Sequence, residues 1–179
     1  MKKTGLLLSA LLIFASANAH SKFVERSTDV LSLVPSATGL CVAIANHDTQ
    51  GMKQLGLSTA TCLAVNYGLE LCITKDRPDG TGHHAFPSTH TAVAFNGSTF
   101  LMKRYGWKWG VPAYVVSTYV AWGRVHSDRH DWWDVLGGAA IGAGSAFIFT
   151  RPFVKNVDVS ISPTSFGDQA YGITATIQF

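Results

Sequence analysis

Five apolar segments divide this chain: about Val30 to Ala45, Leu55 to Ile73, Ser88 to Met102, Val111 to Trp122 and Trp132 to Phe149. Each is long enough for a helix and ends at polar, Gly or Pro residues. A chain divided this way folds as a helical bundle, buried in its own core or in a membrane. Charged residues make up only 14% of it, against about 25% in an ordinary soluble domain. That shortfall excludes a disordered chain, a coiled coil and a charged tail protein. It argues against a nucleic-acid partner, which calls for clustered Lys and Arg. The net charge of +3 is too small to name a partner.

The N-terminus reads as an export signal. Lys2 and Lys3 precede an apolar run from Leu6 to Phe14, and Ala17-Asn18-Ala19 forms an A-x-A cleavage site. Residues 1–19 are expected to be a signal peptide, the alternative being an uncleaved first membrane helix. Cys41, Cys62 and Cys72 are an odd set for an exported chain, and their places in apolar segments predict buried free thiols.

Charge placement separates a membrane bundle from a soluble one. If the first segment runs inward from the periplasm, two joints face the cytoplasm: Lys103 to Lys108, and the one with Arg151 and Lys155. Both are basic, as the positive-inside rule requires. Trp107, Trp109, Trp132 and Trp133 fall at segment ends, where aromatic belts lie. Gly137, Gly138, Ala139, Ala140, Gly142 and Gly144 offer a small-residue surface for close helix packing. Against this, several segments fall short of roughly 20 apolar residues, and Asn66, Glu70 and Asn96 interrupt them. A soluble bundle therefore stays open.

The chemistry-bearing residues gather in the two remaining joints, Lys75 to His90 and Gly123 to Asp134. One helix is expected to supply His130 and Asp134, at i and i+4, so both point the same way. A carboxylate one turn away stabilises an imidazolium, so such a His can serve as nucleophile or base. Ser88 and His90 mark a helix start after Pro87, where free backbone N–H groups attract an anion. Arg77 and Arg124 offer forked donors suited to phosphate oxygens.

These residues carry a family resemblance. Phe86-Pro87-Ser88-Thr89-His90 resembles the P-S-G-H motif of the type 2 phosphatidic acid phosphatase and vanadium haloperoxidase superfamily. Arg124, His130 and Asp134 match its R-x5-H-x3-D motif, and Lys75-Asp76-Arg77-Pro78 resembles the end of its K-x6-R-P motif. The order of the motifs is the family's, and the match runs from about Leu55 to Gly144. Two positions depart: Thr89 stands where the family has Gly, and Glu70 where it has the Lys of the first motif.

The resemblance implies that His130 attacks phosphorus, Asp134 orients it, and His90 protonates the leaving oxygen. It implies that Arg77, Arg124, Ser88 and the backbone near Thr89 hold the phosphate, with Lys75 as a possible replacement charge that Glu70 could pair with. No cofactor or metal is required, because the arginines supply the charge. His83, His84 and His90 lack an established metal-ligand spacing. His83, His84 and His126 are expected at the surface or behind the site, and Asp128 and Arg129 as exposed charges or rim contacts.

The C-terminus changes period. Val157, Val159 and Ile161, then Tyr171, Ile173, Ala175, Ile177 and Phe179, alternate with small or polar residues, which predicts a β-hairpin joined by about Pro163 to Ala170. The expected fold class is thus all-α: a membrane-associated bundle of about five core helices after a signal peptide, with a short C-terminal β-hairpin. The expected organisation is a phosphatase-like domain over 20–153 and a tail over 154–179.

The resemblance implies a phosphatase of phosphorylated lipids in the bacterial inner membrane, its site facing the periplasm. Undecaprenyl diphosphate, phosphatidylglycerol phosphate and lipid A are candidate substrates. The alternatives are a soluble periplasmic acid phosphatase and, because of Glu70, a non-catalytic phospholipid-binding protein. A haloperoxidase fits least, those enzymes being generally larger and soluble. Oligomeric state leaves no mark in the sequence.

Overall fold

Helices start and stop where capping residues allow. The computed structural model describes residues 22–153, 158–165 and 171–178, so the expected signal peptide lies outside the described residues. α1 covers 22–31, and a turn at 32–33 leads into α2, Val34–Ala45. There follow α3, Thr49–Cys72; α4, Thr89–Tyr105; α5, Trp107–His126; and α6, Trp132–Phe149.

The expected segments map in order onto α2 to α6. α3 begins earlier than its apolar run because the Asp48 side chain accepts from Gly51 N at 2.8 Å and caps it. Gly106, at φ 87°, ends α4 and starts α5, a reversal that a side chain would strain. Asp131 and Asp134 form a capping box on α6.

α4 is the central element, packed against α2, α3, α5 and α6. Its interior contacts combine a hydrophobic cluster around Phe100 and Leu101 with small and polar residues. Ser98 Oγ lies 2.6 Å from Ser117 Oγ, and Thr99 Oγ1 lies 2.7 Å from Tyr114 Oη. Asn96 receives Thr59 Oγ1 at 3.1 Å and donates to the Gly142 carbonyl. Gly138 and Gly142 bring α6 so close that an added Cβ would strike the Ser88 and Ala92 carbonyls. Gly144, by contrast, faces open space, so only part of the small-residue surface is used.

Large apolar side chains face outward, among them Phe23, Val30, Leu57, Val115, Phe147 and Ile148. Trp107, Trp109, Trp132 and Trp133 are exposed at helix starts. Large apolar side chains facing outward, with buried polar groups hydrogen-bonded inside, suit a bilayer. Lys22–Ala45 and Trp132–Phe149 are long and apolar enough to cross a membrane. Asn66 and Asn96, which favoured a soluble bundle in the sequence, are fully buried and hydrogen-bonded.

Three expectations change. Arg104 is not a free basic joint charge: its Nε donates to Asp48 Oδ2 at 2.7 Å, its Nη1 donates to the Arg151 carbonyl at 2.8 Å, and Tyr105 Oη joins at 2.8 Å from Asp48 Oδ2. Only Cys62 is a buried thiol; Cys41 and Cys72 are exposed. In the tail, β1, Asp158–Ser165, pairs antiparallel with β2, Tyr171–Gln178, so Pro163 lies within a strand opposite Ile173.

Candidate active site

Two joints meet at one end of the bundle, and backbone hydrogen bonds set their docking. In the first, Lys75 to Arg77 runs beside Gly82 to Ala85: Lys75 N donates to His83 O at 3.0 Å, Arg77 N to Gly82 O at 2.9 Å, and Ala85 N to Lys75 O at 2.9 Å. Asp79 N donates to Asp128 O at 3.1 Å and ties this joint to the second. There Arg129 N and His130 N both donate to the Arg124 carbonyl, at 3.1 and 3.2 Å. The five-residue spacing thus folds back on the last turn of α5. His130 therefore does not lie on a helix with Asp134: α6 begins after it, with Asp131 as the cap.

His130 is 5% exposed, and its Nδ1 lies 2.8 Å from the Ala85 carbonyl oxygen. A carbonyl only accepts, so Nδ1 carries the proton and Nε2 keeps its lone pair. Asp134 Oδ2 lies 3.7 Å from Nδ1, beyond a hydrogen bond but within charge contact. Asp134, fully buried, instead receives Lys75 Nζ at 2.5 Å and Asp131 N at 3.0 Å. Ala85, not Asp134, makes the direct hydrogen bond to the imidazole. Burial first, then the charges of Arg124, Arg77 and His90, push His130 down to about 3, against the Ala85 carbonyl, which favours the protonated ring. The imidazole is neutral at any ordinary pH.

Lys75 does not pair with Glu70. Its ammonium bridges Asp134 and, at 2.6 Å, Asp131. Those two carboxylates take up the charge expected for phosphate. Glu70 lines a recess with Tyr67, Leu71 and His84, and its backbone carbonyl receives His84 Nδ1 at 3.0 Å.

The arginines are incompletely matched. Nε of Arg77, of Arg124 and of Arg129 is buried without a hydrogen-bond partner. Unmatched buried donors are costly, and guanidinium groups with this defect have the chemistry to take an anion. Burial first, then the charges of Arg124, Arg129 and Arg77, hold His90, on the first turn of α4, below the ordinary imidazole value, against the opposing charge of Asp29. Ser88 is buried at the start of α4, its N donating to the Asp134 carbonyl at 3.0 Å and its Oγ 3.1 Å from Thr91 Oγ1. Thr89 Oγ1 accepts from Asn66 Nδ2 at 2.8 Å, so the extra side chain is tied back to α3.

Sequence reasoning missed several contributors. Arg129 is partly buried: Nη1 donates to Asp79 Oδ2 at 3.0 Å, and Nε is buried without a hydrogen-bond partner. Asp29, on α1, receives Arg124 Nη1 at 2.7 Å and lies 3.2 Å from His90 Nε2. Glu25, one turn earlier, lies 3.4 Å from Arg129 Nε. The pair's i,i+4 spacing was visible, but not which face of the helix meets the site. A cavity of about 400 Å³ opens beside His90, lined also by Asp29, Leu33, Leu63, Tyr67 and Val93. Among the described residues, no group of three or more His, Cys, Asp or Glu could hold a metal.

Comparison with known proteins gives this geometry a context. The family model for the PAP2 superfamily matches residues 7–158. A lipid A 4'-phosphatase of Helicobacter pylori is 29% identical over 199 aligned positions that take in all of both chains. A lipid A 1-phosphatase of Porphyromonas gingivalis is 41% identical over 69 residues, which are 37% of this chain and 16% of that one. The crystal structure of Aquifex aeolicus LpxE superposes with a TM-score of 0.62 at 20% identity, over 77% of this chain and 92% of the other. A PAP2-type phosphatidylglycerolphosphate phosphatase from Bacillus subtilis gives 0.55 at 20% identity, over 80% and 89%. At that identity the two crystal structures share the fold.

Proposed function

The chain belongs to the PAP2 superfamily, and from that premise we propose that it removes phosphate from a phosphorylated lipid through a phosphohistidine formed on His130. The observation that carries the reading is the pairing of a neutral His130, its Nε2 lone pair available, with the buried Nε donors of Arg77 and Arg124, which lack hydrogen-bond partners. Phosphoryl transfer needs positioning and charge stabilisation above all, and these two features supply them.

His130 Nε2 attacks phosphorus while Arg77, Arg124 and Arg129 hold the peripheral oxygens. The N-terminus of α4 adds the backbone donor of Thr89, Ser88 N being bonded to the Asp134 carbonyl. As the P–N bond forms, positive charge develops on the ring. The Nδ1–H bond to the Ala85 carbonyl strengthens, and Asp134 stabilises the charge from 3.7 Å. Lys75 acts behind Asp134, holding its carboxylate in place. His90 gives a proton to the leaving oxygen, then takes one from the water that cleaves the P–N bond. The guanidinium groups provide the positive charge, so no step calls on a metal.

Lipid A is the first substrate to test, because two relatives carry lipid A phosphatase in their names. We place the enzyme in the bacterial inner membrane with the site toward the periplasm, residues 20–153 forming the catalytic unit. The basic joints on the opposite side of the bundle support that orientation. Glu70, which favoured a non-catalytic protein, lies in the recess with Tyr67 and His84 rather than among the arginines.

Phosphate release in detergent micelles tests the reading, with lipid A, phosphatidylglycerol phosphate and undecaprenyl diphosphate as substrates. His130→Ala should lower release on the active substrate by roughly 10⁴-fold or more. Equal release by wild type and His130→Ala would end the reading.

A further inference from the structure

The anion site already holds an anion that belongs to the chain. Asp29 Oδ1 sits 2.7 Å from Arg124 Nη1 and 3.2 Å from His90 Nε2. In the mechanism above, one of these groups grips a phosphate oxygen and the other protonates the leaving oxygen. A single carboxylate oxygen between them stands where a substrate oxygen belongs. Glu25 repeats the contact one turn earlier, 3.4 Å from Arg129 Nε. α1 thus lays two carboxylates against two arginines of the cradle.

The match is partial, and the shortfall is informative. With Asp29 in place, Nε of Arg77 and of Arg124 stays without a hydrogen-bond partner, and Arg129 Nε has only the 3.4 Å ionic contact with Glu25. A planar carboxylate offers two oxygens and one charge. A tetrahedral phosphate dianion offers three peripheral oxygens and two charges, and can reach donors the carboxylate leaves idle. Displacement is also cheap. The Asp29 side chain is 46% exposed and can swing into water, whereas Arg124 is 3% exposed and fixed.

Asp29 also lines the cavity of about 400 Å³ with Leu33, Leu63 and Val93. A substrate whose apolar portion fills that cavity presses on the carboxylate as its phosphate takes the cradle. Free phosphate has no such portion and must compete with Asp29 on charge alone.

We propose that Asp29 is a specificity-determining residue, a resident competitor that keeps free phosphate weakly bound while a lipid phosphate displaces it. This inference rests on the phosphatase reading for its substrate, but its central measurement needs no turnover. Inorganic phosphate binding to the full chain in micelles is followed by calorimetry at pH 7. Asp29→Asn should bind phosphate about five- to tenfold more tightly than wild type, the scale of one lost ionic competitor. Asp29→Glu, which keeps the charge, should stay near wild type. If Asp29→Asn folds poorly, Asp29→Ser serves the same comparison. In Asp29→Asn, hydrolysis of a soluble phosphate ester should gain relative to the lipid substrate.

Unchanged or weaker phosphate binding in Asp29→Asn overturns the proposal. So does a fall in kcat on both substrates at constant phosphate affinity, which would make Asp29 a positioning residue for His90. Phosphate binding that survives Arg124→Ala overturns it too, because the anion would then sit elsewhere. An inactive wild type that still shows the Asp29→Asn gain would sink the phosphatase reading and leave the competitor in place.

Discussion

Both ends of the bundle bury an arginine against an aspartate, and they use it in opposite ways. At one end Arg104 spends Nε and Nη2 on Asp48 and Nη1 on the Arg151 carbonyl, while Tyr105 and Gly51 N complete the carboxylate. At the other end Arg124 gives Nη1 to a half-exposed Asp29 and leaves Nε idle, as Arg77 also does. The first arrangement is closed and holds three chain segments together. The second is open. The arginines are alike in burial, but Asp48 is 3% exposed and Asp29 46%, and the donors are matched at the first end only.

Paired substitutions break or sharpen that contrast. Arg124→Ala should lower kcat/KM by ~10²–10³-fold, the scale of one lost charge-stabilising donor, with the melting temperature little changed. Arg104→Ala should do the reverse: the folded fraction keeps its turnover, but stability falls by about 3–5 kcal/mol, because Asp48 is left buried and unpaired. Turnover and thermal unfolding on both variants check this, and a swap of the two phenotypes would dissolve the contrast.

Acid should reach the two ends over different pH windows. Burial opposes the charged form of Asp48, but Arg104, the Gly51 amide and Tyr105 outweigh it and hold the carboxyl below its ordinary value. Its contribution is full above the ordinary carboxylate range and is lost as pH falls through the lowered value. His130, held at about 3, stays neutral in the folded protein while the unfolded chain protonates below about 6.5. Stability tied to it is therefore full above about 6.5 and is lost as pH falls toward 3. Melting temperature followed from pH 7 to pH 4 should drop less in His130→Gln than in wild type. Asp48→Asn should be destabilised already at pH 7.

The smallest effect is expected at Glu70. Glu70→Lys adds a cation in the recess with Tyr67 and His84, which no arginine lines, so inorganic phosphate affinity should stay within about twofold. A large gain would place the residue in the cradle after all.

The helices were legible because their boundaries are local. Asp48, Pro87-Ser88, Gly106 and Asp131 act on their own neighbours, and each left a mark in the sequence. Motif order also anticipated that Arg77, His90, Arg124 and His130 would meet. What escaped depends on how distant pieces dock. The partner of His130 Nδ1 is a backbone carbonyl 45 residues earlier, and a carbonyl has no residue identity. Lys75 found Asp131 and Asp134 across two joints, not the nearby Glu70. Asp29 reached the cradle because of how α1 lies over it, and Arg104 turned inward because the α2–α3 turn brought Asp48 to it.

The hydrogen bond from His130 to Ala85 has a consequence for heredity. Because a main-chain atom fixes the ring, no single codon change removes that acceptor, provided residue 85 stays small enough for its buried place. Gaining or losing a residue between Lys75 and Ala85 would shift the carbonyl out of reach. Loss of function through this contact should therefore arise in natural variants by changes in loop length, with the histidine itself intact.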